Sequence, residues 1–428
     1  MPVHERPVSS VINVAYRETD PLCRRDHKRD LLKTQMIPAA TILPEGSLHP
    51  HLRQGATQTG VEEATKRFKK YTPYVFSSQM NERPAVEELN DVWHYRIKTN
   101  HLDKLLFPFY TLNSPYYLYV YKAAQMISKL DIKIVHVRNR PLYMPFLRYM
   151  LGKKVKLVLH EHNQNIADTL SKKQAVEILD SVDAYVAVSK FTYDFEITNK
   201  YPQYKDKAYV ILNGVNLDKF RPVWEQKDNA AALRKKYGLE NSIVVLFAGA
   251  IRERKGVHLL VEAFKQVSAK HPEAKLVIAG GDKDNLEAKD EYARKLKESA
   301  SSLGDKVIFT GYIPPAEMDN IYLLGDIFCG PSIWNEAFGL VFAEASASGL
   351  AVIGSKRGGI PEIIMDGKTG LLADPLDIND LAGKLETLIG SSQLRQEYGR
   401  AARKYMEVKF SWDRVATEIE ALYDKLLK

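Results

Sequence analysis

Cysteine is nearly absent from this 428-residue chain: Cys23 and Cys329 are the only two. Two thiols so far apart supply neither a disulfide framework nor the clustered cysteines of a structural zinc site, and such sparse use suits a reducing compartment. Long apolar runs are also missing. A membrane-spanning helix needs ~20 apolar residues in a row, but Glu344 interrupts the stretch Ala337–Gly354, and the run from Tyr116 contains Lys122. The opening MPVHERPVSSVINVAYRETD has no apolar core or small-residue cleavage site, so the expectation is a cytoplasmic protein without a signal peptide. No block of one charge sign stands out. The 61 Lys and Arg against 53 Asp and Glu are interspersed, and the net +8 suits anionic partners without forming a nucleic-acid-binding arm. A G-x-G-x-x-G opening the first helix of a βαβ unit is missing as well, which argues against a dinucleotide-dependent oxidoreductase.

What is present reads as α/β. The length predicts two domains. In the second half, short apolar runs at Ser242–Ala250, Ala274–Gly281, Lys306–Gly311, Ile327–Ser332, Ala351–Ser355 and Gly370–Ala373 read as buried parallel strands. Helical spacing separates them at Val257–Lys270, Asp290–Leu303, Pro315–Leu324, Leu340–Ser348 and Ile360–Met365. The first half repeats the alternation less cleanly. Strand candidates are Ile37–Leu43, Pro73–Ser77, Val92–Ile97, Ile132–Arg138, Lys156–His160, Ala184–Ser189 and Ala208–Leu212. Helices are predicted over Val61–Lys70, Tyr116–Leu130, Met144–Leu151 and Ser171–Leu179. Such alternation predicts parallel sheets covered on both faces. The segment after Asn213, NGVNLDKFRPVWEQKDNAA, has turn residues and charge but no period, and reads as a linker. The expected division is a basic extension over 1–35, a first domain over 36–220 and a second over 221–410, followed by an amphipathic helix, Trp412–Leu427.

The stretch NEAFGLVFAE, Asn335–Glu344, carries the strongest chemical signal. Glu336 falls in a strand-to-helix loop and Glu344 in the following, otherwise apolar helix. Both can face the crevice beyond the carboxyl ends of the strands, where open α/β sheets bind ligands. The amides of Phe338, Gly339 and Leu340 start the helix and suit a phosphate, and Gly339 lets it approach the backbone. A carboxylate at Glu344 needs a hydrogen-bonding partner, for which a ribose diol would serve. The bland alternative is that Glu336 compensates the helix dipole and Glu344 is a surface residue. Arg252, Arg254 and Lys255 lie in another strand-to-helix turn, where fixed cations would stabilise a leaving diphosphate.

With these residues in view, the chain resembles the family 4 retaining glycosyltransferases of the GT-B type, which have two Rossmann-like domains facing across a cleft and a last helix crossing back to the first. Four stretches carry the resemblance: NGVNLDKFRP (Asn213–Pro222), GAIRERKGVHLLVEAF (Gly249–Phe264), NEAFGLVFAE and GGIPEIIMDGKTGLL (Gly358–Leu372). It runs from about residue 36 to the end, and the first half is most like the bacterial surface-polysaccharide and spore-coat group. The resemblance implies that Glu336 contacts the transferred sugar, Glu344 the nucleotide ribose and Lys255 the diphosphate. The arginine that the family carries five residues before the lysine is Ala250 here, so Arg254, with Arg252 close behind, takes that role. Tyr312 and Ile313 fall where relatives hold the base.

In the first domain, the resemblance makes His162 of HEHN (His160–Asn163) the substrate-contacting histidine. Capping of the next helix by Asn163 or Asn165 is the local alternative. A third or fourth metal ligand near His160 and His162 is not visible, so no metal is assigned. Gly55, in RQGATQTG (Arg53–Gly60), stands for the glycine-rich loop after the first strand, with Gln54 where a second glycine is usual. The aromatic run Phe107–Tyr121 reads as core packing, with an acceptor-sugar or membrane contact as the alternative. The expected reaction is transfer of a hexosyl-type sugar from a nucleotide-diphosphate sugar, UDP favoured, to a carbohydrate, lipid-linked or small-molecule hydroxyl. No cofactor beyond the co-substrate is expected. The competing reading is a binding or structural protein on a degenerate scaffold of this type.

Overall fold

The structure is a computed structural model that describes residues 36–47, 56–79, 83–98, 116–281 and 291–428. It contains two sheets. The first has eight strands: β1 (Ile37–Ile42), β2 (Tyr71–Ser78), β3 (Val86–Leu89), β4 (Val92–Ile97), β5 (Ile134–Arg138), β6 (Lys156–Glu161), β7 (Ala184–Ala187) and β8 (Ala208–Val210). Their order is β3-β4-β2-β1-β5-β6-β7-β8. The second sheet has six: β9 (Ile243–Ala248), β10 (Ala274–Ala279), β11 (Val307–Gly311), β12 (Ile327–Gly330), β13 (Ala351–Ser355) and β14 (Leu371–Ala373), in the order β11-β10-β9-β12-β13-β14. All pairings are parallel except β3 with β4. The central strands are continuous apolar runs because helices cover both faces. Each sheet therefore has a core on either side. Among the described residues, no helix is long and apolar enough to cross a membrane.

Several boundaries differ from the sequence reading, each for a local reason. The helix expected from Val61 begins at Ala56 and ends at Thr65, and the chain then turns so that the amides of Lys69 and Lys70 donate to Glu420 at 2.8 and 2.7 Å. β5 starts two residues late because Asp131 adopts a left-handed turn conformation, φ 51°. The linker after Asn213 is shorter than expected, since Lys227–Lys236 is helical. The β3–β4 hairpin was not anticipated. Its turn residues Asn90 and Asp91 both have positive φ, 52° and 61°, as a tight hairpin turn requires. Part of the aromatic run is helix Tyr116–Lys129, whose Tyr119 and Val120 are in the first core. The rest of that run, together with residues 1–35, Gln54 and Gly55, lies outside the described residues.

The chain passes between the sheets twice, at adjacent points. Val215 bridges Ser411, and the Val215 amide donates to the Phe410 carbonyl at 2.7 Å. The last helix, Trp412–Leu427, then lies on the first sheet, where Trp412, Val415, Ile419, Leu422 and Tyr423 pack with Ala39, Ile134, Val158 and Val186. Ser411 caps it by accepting from the Arg414 amide at 3.3 Å. Gly214 is required at this crossing: a β-carbon there would lie 2.5 Å from the Trp412 ring.

Candidate active site

Glu336 and Lys255, 81 positions apart in sequence, meet at the carboxyl edge of the second sheet. Lys255 Nζ donates to Glu336 Oε1 at 2.5 Å, and the Ser332 hydroxyl lies 3.0 Å from the same oxygen. The turn after β9 and the loop after β12 are joined by one backbone group. The Arg254 carbonyl accepts from the amides of Ile333 and Trp334 at 3.0 and 3.2 Å. Gly256 makes this possible. It sits at φ 71°, and a β-carbon would lie 1.9 Å from the Pro331 carbonyl oxygen, so only glycine lets the lysine turn approach the glutamate loop. The alternative of Glu336 as a helix-dipole residue is set aside, because its carboxylate is engaged by lysine and serine ahead of helix Leu340–Ala347.

That helix begins after Gly339, which has φ 100°. Among the described residues, the amides of Phe338, Gly339 and Leu340 have no protein acceptor, as expected of a helix start. Phe338 itself is buried against Phe410. Glu344 has a protein partner that the sequence did not reveal: Tyr322 donates to its Oε2 at 2.8 Å. A ribose is therefore not needed to explain the position of this carboxylate, while Oε1 has no hydrogen bond among the described residues. Burial raises the Glu344 carboxyl to about 7, against the opposing effects of the Tyr322 hydroxyl and Lys219.

Arg252 and Arg254, with Glu253 and Ile333, line an open hollow of about 500 Å³. The residues lining the hollow do not include Lys255 or Glu336. The Arg254 guanidinium lies 5.7 Å from the centre of the Trp334 ring. Tyr312 is exposed after β11, and Ile313 packs partly against the second-sheet core.

On the facing edge of the first sheet, β6 delivers His162. Its ring stacks on His160 at 4.8 Å between centroids, and its amide donates to Asn139 Oδ1 at 3.2 Å. The capping alternative for HEHN fails. The N-cap position of helix Asn165–Thr169 is Gln164, whose side chain makes no capping bond, and the buried Glu196 carboxylate accepts from the amides of Ile166 and Ala167 at 3.0 and 3.4 Å. Glu196 is raised to about 7, chiefly by burial.

The two sheets meet at the glutamate loop. Gln164 Nε2 donates to the Asn335 carbonyl at 3.1 Å, and Thr192 Oγ1 to that of Ala337 at 3.4 Å. Ser332, Tyr322, Asn139 and Gln164 were missed from sequence, since single polar residues carry no pattern. Glu362 stands inside the GGIPEII motif, where its presence, though not its role, was visible.

Two Rossmann-like sheets whose carboxyl edges face each other, with a returning last helix, define the GT-B architecture, and comparison with known proteins agrees. Residues 64–219 match the model "Glycosyltransferase Family 4" and residues 229–405 match "Glycosyl transferases group 1". Spore coat protein SA of Bacillus subtilis is 31% identical over 303 residues, 70% of this chain and 80% of that protein. YtcC of the same organism, named as a glycosyltransferase, is 29% identical over 383 residues, 88% of this chain and 89% of its own. A glycosyltransferase from Rickettsia africae superposes with TM-score 0.73 at 24% identity, covering 92% of this chain and all of the other. Anabaena HepE, solved in complex with UDP, gives 0.71 at 18% identity, covering 90% of this chain and all of the other. The chain belongs to glycosyltransferase family 4 and is a GT-B glycosyltransferase.

Proposed function

We propose that the chain moves a hexosyl-type sugar, with retention of configuration, from a nucleotide-diphosphate sugar to a hydroxyl acceptor in surface or spore glycan synthesis. In this reading residues 221–410 hold the donor, and residues 36–220 with the returning helix 411–428 hold the acceptor. The enzyme acts in the cytoplasm or against the inner membrane face. The observation that carries the reading is the Lys255–Glu336–Ser332 cluster at a sheet edge, close in sequence to the amides of residues 338–340, which have no acceptor among the described residues. UDP as the carrier is favoured by the HepE complexes with UDP and UDP-glucose.

The chemistry follows from charge. As the sugar–phosphate bond breaks, negative charge grows on the diphosphate. We assign its stabilisation to Lys255 and the amides of Phe338, Gly339 and Leu340, with Arg252 and Arg254 reaching it from the neighbouring hollow. Glu336 then serves the sugar hydroxyls, held in place by Lys255 and Ser332. Glu344, anchored by Tyr322 at one oxygen, presents the other to the ribose. Tyr312 and Ile313 border the base. His162 contacts the substrate from the facing lobe. The acceptor hydroxyl attacks from the face the phosphate leaves, and the phosphate oxygen takes its proton. The protein supplies the cations, and no metal ion is assigned a role.

A panel of nucleotides screened by thermal shift tests donor class, because a ligand of the native state raises apparent stability with concentration. Kinetics of Glu336→Gln and Glu344→Ala then test the assignment. The first should lower kcat by about 100-fold or more while nucleotide affinity changes little. The second should raise donor KM. Wild-type kinetics in both variants would reject the site.

A further inference from the structure

The face of the first sheet beneath the last helix is apolar along most of its length but turns polar at the carboxyl edge. There β5 and β6 place His136, Arg138, His160 and His162 on one side, all buried. The rings form a column, with centroids 5.2 Å apart for His136–His160 and 4.8 Å for His160–His162. Tyr423 of the last helix closes the far end, its hydroxyl 2.7 Å from His136 Nδ1.

Arginine cannot accept a hydrogen bond, and this orders the whole column. Arg138 Nη1 lies 2.5 Å from His160 Nδ1, so that nitrogen is the acceptor and the His160 proton is on Nε2. His136 Nε2, 3.2 Å from the same atom, can share that lone pair only as a donor, and His136 Nδ1 then accepts from Tyr423. Arg138 is 2% exposed, and among the described residues its Nε and Nη2 have no partner. No carboxylate offsets its charge within the column. Both ring nitrogens of His162, and the His160 Nε2 that carries the proton, are likewise buried without a partner among the described residues.

We propose that Arg138 is a positioning residue for the transfer reaction: by locking His160 in one tautomer, with His136 and Tyr423 behind it, it holds His162 stacked and uncharged at the cleft. This rests on the reading that His162 meets the substrate; the role it adds is that of a neutral hydrogen-bonding group rather than a cation.

The groups facing His162 agree. β5 brings Arg138 and His136, and β6 brings His160, while the Glu161 carboxylate acts on Tyr185 instead. Helix Ala56–Thr65 contributes Gly60, whose β-carbon would lie 4.0 Å from the His162 ring, and the last helix contributes Trp412 against that same glycine. Burial first, and Arg138 second, push His162 down to about 3.

The test is side-chain nitrogen NMR of the full chain at pH 5, without substrate, for wild type, Arg138→Met and Arg138→Lys. Wild-type His162 should be neutral. In Arg138→Met its protonated fraction should rise by about tenfold or more, the effect of removing one nearby like charge. Arg138→Lys should keep the wild-type state. A charged His162 in the wild type, or an unchanged one in Arg138→Met, overturns the proposal.

Should Arg138→Met fail to fold, Tyr423→Phe replaces it. Loss of the Tyr423 hydroxyl should shift the His136 and His160 nitrogen resonances and lower kcat without raising KM. Unmoved resonances would overturn the column. Because the NMR experiment contains no donor, it separates this proposal from the assignment of sugar transfer.

Discussion

Removing the Glu362 carboxylate should loosen the contact between the two lobes and lower turnover without unfolding either. Glu362 lies in the short helix Ile360–Ile363 of the second lobe but accepts from the Lys190 and Phe191 amides of the first, each at 2.8 Å. These are the first amides of helix Lys190–Tyr193, which lack an intrahelical acceptor. The same segment rests on the glutamate loop, where the Gly359 amide donates to the Glu336 carbonyl at 2.7 Å. Lobe contact and the placement of Glu336 are therefore coupled through five residues. Hydrogen bonds to a charged group contribute about 1.5–3 kcal/mol each. Because the Lys190 end is exposed, about 2 kcal/mol for the pair is a fair discount, or about 30-fold in the ratio of joined to separated lobes. Glu362→Ala should thus raise the radius of gyration measured by small-angle X-ray scattering and lower kcat/KM by up to that factor, while Glu362→Gln, which keeps one acceptor oxygen, should fall between. If Glu362→Ala keeps the wild-type scattering profile and wild-type kcat/KM, the carboxylate does not hold the lobes together.

Two further expectations concern stability. Burial is the largest cause holding His94, His136, His160 and His162 neutral in the native state, with Arg138 second for the latter three and Arg96 for His94, so their pKa values are depressed. The unfolded chain takes up their protons first as the pH falls below about 6.5, which destabilises the native state. Glu196 and Glu344, raised to about 7, act oppositely by binding protons in the native state. At about 1.4 kcal/mol per proton and pH unit, the net of two protons costs about 3 kcal/mol between pH 6 and pH 5. Urea midpoints at the two values should show that fall, and a rise would refute the ledger. Trp412→Ala empties the space against Gly214 and Gly60 and should cost about 3–5 kcal/mol, read as a drop in melting temperature; an unchanged melt would show that the last helix is not needed where it lies.

How much of this could be read from sequence depends on how local each cause is. β9, β10 and β12 were legible because a strand buried on both faces must be apolar along its buried length, as IVVLFA is and as AKLVIA is after its partly exposed Lys275. β3 was not, since VEEL is a half-charged edge strand whose one signal, Asn90–Asp91, is a turn pair that loops also use. Lys255 and Glu336 were legible because each sits in a strand-to-helix turn, a place the α/β fold reserves for ligands. The partner of Glu344 was not. An acid in an apolar helix shows that something must satisfy it, but whether that is a tyrosine or a ligand depends on how the segment after β11 packs against the helix after β12. Arg138 is the extreme case. At the end of the strand IVHVR it reads as a solvated terminus, and it becomes a buried cation only because a helix that begins at Trp412 returns to cover it. Charge at a strand end thus means one thing in a chain that stops at its second lobe and another in a chain whose last helix comes back. The chemistry of His162 is set as much by residues near position 423 as by its own neighbours.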